Sequence, residues 1–202
     1  MKDEGVGTPK RPYRMVARAD AARATAERVL GVALELFTAR PYEDVSVEDI
    51  AQQAEVTRRT VLRRFGSKEA LFLAAMERAG REEMRARDEA PVGDVAAAVA
   101  NVVAHYERWG ANRLRLLAQE DRIAVVAEDV QIGRRYHWSW VERTFAPLID
   151  GLTGAARKRR IAALVVLTDV YTWKLLRLDL RLSQADTNRT LVELIDKLKG
   201  EL

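Results

Sequence analysis

Apolar residues recur at alternating intervals of three and four along most of the 202-residue chain, which is the spacing of one face of an α-helix. Glycine and proline are sparse, with 11 and 5 copies, and no strand-like alternation bounded by turns stands out in the sequence. The pattern therefore predicts an all-α fold of about nine helices. The predicted helices cover about 21–39, 46–54, 57–65, 67–89, 94–109, 112–127, 129–152, 155–182 and 183–202.

The segment 46–71 places two short helices on either side of a tight turn and begins a third helix directly afterwards. Ser46 is a suitable N-cap for the first of them, and Asp49 stands at the position that completes a capping box. Thr57 and Ser67 are suitable N-caps for the second and the third. These local signals predict a helix-turn-helix.

The second of these helices carries a dense positive charge. Val61 and Phe65 lie four positions apart and are expected to face the core. Lys68 adds a charge in the first turn of the following helix, where a free N-terminus already favours anions. The positions expected to point outward are Arg58, Arg59, Leu62 and Arg63. A short cationic helix presented in this way is suited to the major groove of DNA.

These features resemble the DNA-binding domain of the TetR (tetracycline repressor) family of bacterial regulators. The resemblance is carried by Leu34, Leu36 and Phe37 of the first helix and by the segments 47–51 and 60–71. Together these motifs are more specific than a helix-turn-helix pattern alone. The resemblance implies a small-molecule-responsive, DNA-binding regulator.

The resemblance extends over about residues 24–78 and leads to a division of the chain. We expect a basic flexible arm at 1–20, a helix-turn-helix DNA-binding domain at 21–68, and a ligand-binding and dimerisation domain at 69–202. Three of the four net positive charges lie within residues 1–68, as a DNA-binding end requires. The arm would either contact the DNA backbone or minor groove, or serve as a solvated tail.

Two positions depart from the family's usual pattern. Glu55 stands in the turn where members often have glycine, and a left-handed backbone there costs a non-glycine residue about 1–2 kcal/mol. Leu62 stands where members usually have a tyrosine that contacts a phosphate. Leucine cannot make that hydrogen bond, although it could touch a thymine methyl group.

The other DNA-facing positions are assigned by their side-chain chemistry. Arg58, Arg59 and Arg63 are the candidates for reading guanine, because a guanidinium can donate to both of its major-groove acceptors. The candidates for positioning phosphates are Ser46, Thr57, Thr60 and Lys68.

The last two predicted helices each carry an apolar stripe that needs a partner surface. In the penultimate helix the stripe consists of Ile161, Leu164, Thr168, Tyr171, Leu175, Leu178 and Leu182. The resemblance implies that two copies pair these helices in a four-helix bundle. Such a homodimer would present two recognition helices to an inverted repeat in double-stranded DNA. The alternative is that both stripes form the internal core of a monomer.

Aromatic residues are concentrated in the predicted ligand-binding domain. They are Tyr106, Trp109, Tyr136, Trp138, Trp140, Tyr171 and Trp173. The resemblance implies a small-molecule effector here, and the residues selected to bind it are Met76, Tyr106, Trp109 and Tyr136. The mixed composition favours an apolar or aromatic effector over a highly charged one. The alternative is that these aromatic residues form core or interface.

Catalytic and metal-binding patterns are not found in the sequence. It has no cysteine, only two histidines, no Gly-x-Ser-x-Gly motif and no glycine-rich phosphate loop. We therefore expect neither an enzyme nor a metal or other cofactor. No apolar run approaches the ~20 residues that span a bilayer, and residues 1–5 lack the apolar centre of a secretory signal. A cytoplasmic protein is expected.

The sequence thus predicts a homodimeric transcriptional repressor that a small apolar or aromatic ligand releases from an inverted-repeat operator. A DNA-binding regulator without a small-molecule effector remains an alternative, and so does a helical enzyme or interaction scaffold. A cavity behind the predicted helices five to eight would distinguish the first two hypotheses.

Overall fold

The computed structural model describes the backbone of residues 10–199, and the side chains of residues 15, 16 and 18–199. The helices are α1 (Lys10–Ala39), α2 (Val47–Gln53), α3 (Arg58–Phe65), α4 (Lys68–Asp88), α5 (Val95–Leu117), α6 (Ala124–Thr144), α7 (Ala146–Ile149), α8 (Gly154–Leu167), α9 (Val170–Lys174) and α10 (Gln184–Lys197). A 3-10 turn at Tyr42–Asp44 follows α1, and a π-helical turn at Leu175–Asp179 follows α9. The all-α prediction is confirmed, since these residues form no strand. None of these helices has the length and apolarity needed to cross a membrane.

The first helix begins at Lys10, earlier than the predicted start at Ala21. Residues 10–20 of the predicted flexible arm are therefore helical, while residues 1–9 lie outside the described part of the chain. The extension holds two alanines and three arginines, residue types with high helix propensity. Pro12 falls in the first turn of the helix, where a backbone N–H group would have no intrahelical acceptor, so its absence costs no hydrogen bond.

Two predicted breaks differ from the observed ones. Helix α5 continues through Gly110, where a break was expected, and replaces the predicted helix five and the beginning of the predicted helix six, up to Leu117. The predicted helix eight is interrupted after Leu167. There the Thr168 hydroxyl donates to the Leu164 carbonyl at 2.7 Å, and the Asp169 carboxylate accepts the Tyr171 N–H at 2.8 Å. These local hydrogen bonds compete with the helical ladder and start a new helix.

The predicted helix seven is also divided. In its place the observed α6 begins at Ala124 and ends at Thr144. Pro147 lies in the first turn of the short α7 that follows. Proline at that position needs no N–H partner, whereas within a continuous helix it would leave a carbonyl without its donor. The bend expected at Pro147 is therefore realised as a break.

The buried apolar side chains form two clusters. The first joins α1–α3 and the N-terminal half of α4 to the corner between α5 and α6, where Leu116 and Val126 are buried. The second fills the space between α5, α6 and α8–α10, around the fully buried Trp140 and Phe145. Helix α4 contributes Phe72 to the first cluster and runs on towards the second. It therefore connects the helix-turn-helix to the rest of the protein.

Hydrogen bonds between the two parts reinforce this connection. The backbone N–H of Tyr42 donates to Gln119 Oε1 at 2.8 Å, and Gln119 in turn donates to the carbonyl of Arg115. Arg115 donates to the carbonyl of Thr38 at the end of α1. The α5–α6 corner is thus held against the helix-turn-helix by directional contacts as well as by apolar packing.

Candidate DNA-binding surface and effector cavity

The predicted caps of the helix-turn-helix are present. Ser46 Oγ accepts the Asp49 N–H at 3.0 Å, and the Asp49 carboxylate accepts the Ser46 N–H at 3.1 Å, which completes the capping box. These hydrogen bonds lower the pKa of Asp49. Thr57 Oγ1 accepts the Thr60 N–H at 3.2 Å at the start of α3. The two short helices are therefore fixed at their N-termini by side chains already assigned to that end.

The turn between α2 and α3 has the left-handed residue that the sequence suggested. Glu55 has a φ of 53°. The N–H of Val56 donates to the Ala51 carbonyl at 2.9 Å, and Arg28 Nε donates to the Ala54 carbonyl at 2.9 Å. Sequence reasoning did not select Arg28, because it lies far away in the chain on α1. It secures the turn that sets the angle between α2 and α3.

Helix α3 displays its cationic face to solvent. Arg59 and Arg63 are exposed and lie one turn apart, and Arg64 is exposed beside them. Arg58 is also exposed, but its Nε lies 2.5 Å from the carboxylate of Glu48 on α2. Both members of this ion pair are about 60% exposed, so water screens the attraction and the pair contributes little. A phosphate could replace the Glu48 carboxylate without a large loss.

Leu62 was predicted to point outward, but it does not. It is half-buried and packs against the first apolar cluster together with Phe65. The reason is that Leu62 lies three positions before Phe65, so it stands beside Phe65 at the edge of the core-facing side of α3. Thr60 is likewise half-buried, and its hydroxyl lies 3.0 Å from that of Thr57.

Lys68 is held over the ring of Tyr42, with its ammonium 4.1 Å from the ring centroid. Partial burial lowers the pKa of Lys68. The Tyr42 ring is fixed by contacts with Phe37 and Phe72, and its hydroxyl donates to Glu69. Burial and the Glu69 carboxylate raise the pKa of Tyr42 to about 12. This cation–π contact positions the Lys68 ammonium at the start of α4.

A cavity of about 310 Å³ lies between α4, α5, α6 and α9. Two of the predicted ligand-binding residues, Tyr106 and Tyr136, line it. The other two, Met76 and Trp109, do not, and instead border a void of about 20 Å³ next to α1. Met76 lies two turns before Met84, the α4 residue that does line the cavity, and its side chain belongs to the first apolar cluster.

The cavity wall is more highly charged than the sequence suggested. Arg87 is buried, with 4% of its surface exposed, and its Nη2 donates to His137 Nδ1 at 3.2 Å. Its guanidinium lies over the Trp140 ring at 4.2 Å. Arg113 bridges Glu83 and Asp129 at 3.3 and 3.2 Å. Burial raises the pKa of both carboxyl groups, although Arg113 opposes this.

Both histidines of the chain lie at this cavity. Burial, reinforced by the nearby Arg87 charge, lowers the pKa of His137 to about 4. The same causes, together with Arg113, lower the pKa of His105 to about 3, even though its Nε2 lies 3.9 Å from Glu83. That carboxylate is already engaged by Arg113 at the shorter distance. His137 is therefore neutral, accepting from Arg87 through Nδ1 and donating through Nε2 to the Val165 carbonyl.

Sequence reasoning missed Met84 and Arg87, two of the four α4 residues that line the cavity. Helix α4 also carries Arg78, Arg81 and Arg85, and nothing in the local pattern distinguishes Arg87 from them. Its burial follows from the packing of α6 against the end of α4, where Trp140 Nε1 donates to the Arg87 carbonyl at 3.0 Å. Among the described residues, no cluster of three or more His, Cys, Asp or Glu side chains could hold a metal ion.

Comparison with known proteins finds relatives of the N-terminal part of the chain. Residues 29–75 match the family described as bacterial regulatory proteins, tetR family. The transcriptional regulator TcmR of Streptomyces glaucescens is 38% identical over 72 residues, which cover 36% of this chain and 32% of TcmR. MftR of Mycobacterium tuberculosis is 47% identical over 47 residues, or 23% of this chain and 24% of that protein. The chain thus matches about a third or less of the length of these relatives.

Solved structures resemble the chain over most of its length. A TetR-family regulator from Streptomyces coelicolor has a TM-score of 0.67 at 20% identity, covering 87% of this chain and 80% of that one. The regulator FadR of Bacillus subtilis, solved with stearoyl-CoA, has a TM-score of 0.59 at 16% identity, covering 84% and 96%. At these identities the likeness establishes a shared fold.

Proposed function

We propose that this chain, whose residues 29–75 carry a TetR-family DNA-binding domain, is a homodimeric transcriptional repressor that a small-molecule effector releases from an inverted-repeat operator. The observation that carries the proposal is the course of α4. It begins with Lys68 beside the cationic helix α3, and in its last turn it places Arg87 in the wall of the cavity. The DNA-binding surface and the cavity therefore share one helix.

On DNA, α3 enters the major groove with Arg59 and Arg63 on its exposed face. Each bidentate contact to guanine would contribute roughly 1–3 kcal/mol of discrimination. Arg58 also contacts the DNA, once its ion pair with Glu48 is broken. Ser46, Thr57, Thr60 and Lys68 lie at helix N-termini, where N–H groups and the helix dipole favour a phosphate. Leu62 has a smaller part, since its side chain is partly buried against the first apolar cluster.

The dimer forms through the exposed apolar side chains at the C-terminal end of the chain. Leu175 and Leu178 lie three positions apart, and each is about half exposed. Leu194 on α10 is exposed as well. A second copy of this chain would cover these side chains, and a two-fold axis would orient both α3 helices for one duplex.

The effector acts by changing the position of α4. Arg87 lies about 28 Å along α4 from Lys68, at 1.5 Å of rise per residue. A small tilt of this helix therefore displaces α3. An effector that prefers the displaced state lowers the affinity for DNA by no more than its own difference in affinity between the two states. FadR, solved with stearoyl-CoA, supports the idea that this fold can hold a ligand. The cavity favours this function over a regulator without an effector.

The test is selection of bound duplexes from a random pool. We expect enrichment of an inverted repeat whose half-sites lie about one helical turn, roughly 34 Å, or a multiple of it apart. Failure to bind any duplex at low salt would reject the proposal. Enrichment of single, unrepeated sites would reject its dimeric form.

Two variants separate the assigned roles. Lys68→Ala should weaken binding to every sequence and lower the salt slope by about 1. Arg59→Ala should instead relax specificity at one base pair. Lys158→Ala is the matched control, since Lys158 is exposed on α8 in the other part of the protein. An operator profile unchanged by Arg59→Ala would contradict base reading by this residue.

A further inference from the structure

Arg87 is a buried cation without an anionic partner. Only 4% of its surface is exposed, and none of the ion pairs among the described residues includes it. Its Nε is buried and has no hydrogen-bond partner. The contacts that it does make, with His137 and the Trp140 ring, are to neutral groups. Buried charges are normally paired, because the loss of hydration is otherwise uncompensated.

The carboxylates around the cavity are already committed to other groups. Glu83 and Asp129 both bind Arg113, and Glu120 binds Arg134 through two hydrogen bonds of 2.6 and 2.7 Å. Asp169 lines the cavity, but its carboxylate caps α9 by accepting the Tyr171 N–H. Arg87 therefore has no carboxylate in direct contact, although its charge opposes the rise in pKa that burial causes at Glu83 and Asp169. Its guanidinium lies at the wall of a space large enough for a ligand.

The shape of the cavity orients such a ligand. Arg87 lies at its buried end, whereas Trp138 and Tyr171 are about half exposed and mark its mouth. Apolar side chains, including Met84, lie between these ends. The volume of about 310 Å³ falls at the lower limit of the ~300–1,000 Å³ typical of ligand sites. The occupant is therefore small, with a charged head and an apolar body.

We propose that the effector is a small organic monocarboxylate, whose carboxylate pairs with Arg87 and whose aromatic or aliphatic body extends towards Trp138 and Tyr171. This inference rests on the proposed function only in taking the cavity as the effector site. One planar guanidinium matches one planar carboxylate. A phosphate dianion would need a second cation, and Arg113 and Arg134 are already paired. The sequence-based expectation of an apolar effector is thereby refined to one with a single negative charge.

The direct test measures binding to the protein alone by calorimetry. The probes are benzoate, 4-phenylbutyrate and octanoate, each compared with its primary amide, which preserves size but removes the charge. We expect at least one carboxylate to bind about 10- to 100-fold more tightly than its amide, as a charge-assisted hydrogen bond allows. Equal affinity of acid and amide, or no binding of any acid, would overturn the inference.

Variants locate the binding site. Arg87→Met should remove the preference for the acid over the amide, and Arg85→Met, on the exposed side of the same helix, should keep it. Since Arg87→Met changes a buried side chain, a second readout uses the unmodified protein. Neutralising Arg87 with a bound carboxylate should raise the pKa of His137, which NMR of its ring protons would follow. A bound acid that leaves His137 unchanged would place the anion elsewhere and overturn the assignment.

These measurements do not involve DNA, so they separate the two proposals. If an operator is found but acids bind no better than amides, the inference about Arg87 fails and the regulatory function stands. If acids bind at Arg87 but no duplex is bound, the DNA-binding function fails and the assignment of the cavity stands.

Discussion

At Glu55 a single side chain stands where the backbone favours glycine. Its φ of 53° is left-handed, and its carboxylate lies in the turn of the DNA-binding motif. We predict that Glu55→Gly stabilises the protein by about 1 kcal/mol, because glycine adopts this conformation without strain. The measurement is the free energy of unfolding in urea. The same variant should also bind DNA more tightly, because it removes a negative charge.

Glu55→Gln separates the strain from the charge. It keeps the left-handed strain and removes the carboxylate, so it should tighten DNA binding at low salt without increasing stability. A Glu55→Gln protein as stable as Glu55→Gly would show that charge repulsion, and not the backbone, is the source of the effect.

The two histidines provide a second prediction at this scale. Burial and the charges of Arg87 and Arg113 lower the pKa of His105 to about 3, and burial and Arg87 lower that of His137 to about 4. NMR spectra of the histidine ring protons should therefore show no titration between pH 8 and pH 5. His105→Asn and His137→Asn each remove one signal and assign the other. A midpoint near 6.5 for either residue would contradict the described burial.

The same pKa values determine the sign of a stability change. An unfolded histidine takes up a proton near pH 6.5, whereas these folded ones resist protonation until pH 3 to 4. Their contribution is thus fully present above pH 6.5 and is lost as the pH falls towards 4. Glu83, Asp129 and Asp169 act in the opposite sense, because burial raises their pKa. The ring-proton measurement is preferred since it isolates the histidines.

At the scale of the elements, Gly110 shows why a glycine can lie inside a helix. A Cβ at this position would come within 2.5 Å of the Trp173 ring, so α5 and α9 can pack only because none is present. We predict that Gly110→Ala destabilises the protein by about 1–3 kcal/mol through overpacking, despite the better helix propensity of alanine. Thermal unfolding monitored by circular dichroism would measure this.

The control for this prediction is Gly31→Ala in α1. There the nearest atom to a new Cβ, Arg78 Nη1, lies at an ordinary contact distance of 3.6 Å. This variant should be neutral or stabilised by up to about 1 kcal/mol. If both variants behaved alike, the close approach of Trp173 would not explain why position 110 is a glycine.

The helix-turn-helix could be predicted from the sequence because its signals are local. Ser46 and Thr57 cap the helices that directly follow them, and Val61 and Phe65 define the face of α3. The end of α8 at Thr168 could not be predicted from the sequence, because an apolar stripe continues across this position without glycine or proline. Three residues of that stripe, Ile161, Leu164 and Thr168, are buried. Tyr171, Leu175 and Leu178 beyond them are exposed. Periodicity locates a stripe but does not say which surface covers it.

The candidate sites also differ in whether local sequence signals or tertiary contacts define them. The cations of α3 are exposed neighbours in the chain, so their clustering is visible in the sequence. The cavity depends on how α4, α5, α6 and α9 meet, and the sequence identified Tyr106 and Tyr136 but neither Met84 nor Arg87. The aromatic residues could be selected as candidates from their residue type alone. The arginine is distinguished only by burial, which is a property of the tertiary structure.

For the whole molecule, the proposed dimer connects the exposed apolar side chains to the reading of DNA. We predict that replacing Leu175 and Leu178 together by Asp weakens dimerisation by at least ~100-fold, because burying carboxylates without partners costs several kcal/mol. Sedimentation velocity would show a monomer at concentrations at which the unmodified protein is a dimer. Binding to an inverted repeat should fall by about 10²–10⁴-fold, since each half-site is then bound alone.

The matched control for this prediction is Val92→Asp, which places the same charge on another exposed apolar residue, between α4 and α5. It should leave the oligomeric state and operator affinity unchanged. The double variant should still bind one isolated half-site as well as the unmodified protein does, because α3 lies in a separate apolar cluster. A double variant that remained dimeric would exclude this stripe as the interface, and loss of half-site binding would mean that the substitutions had disturbed the fold.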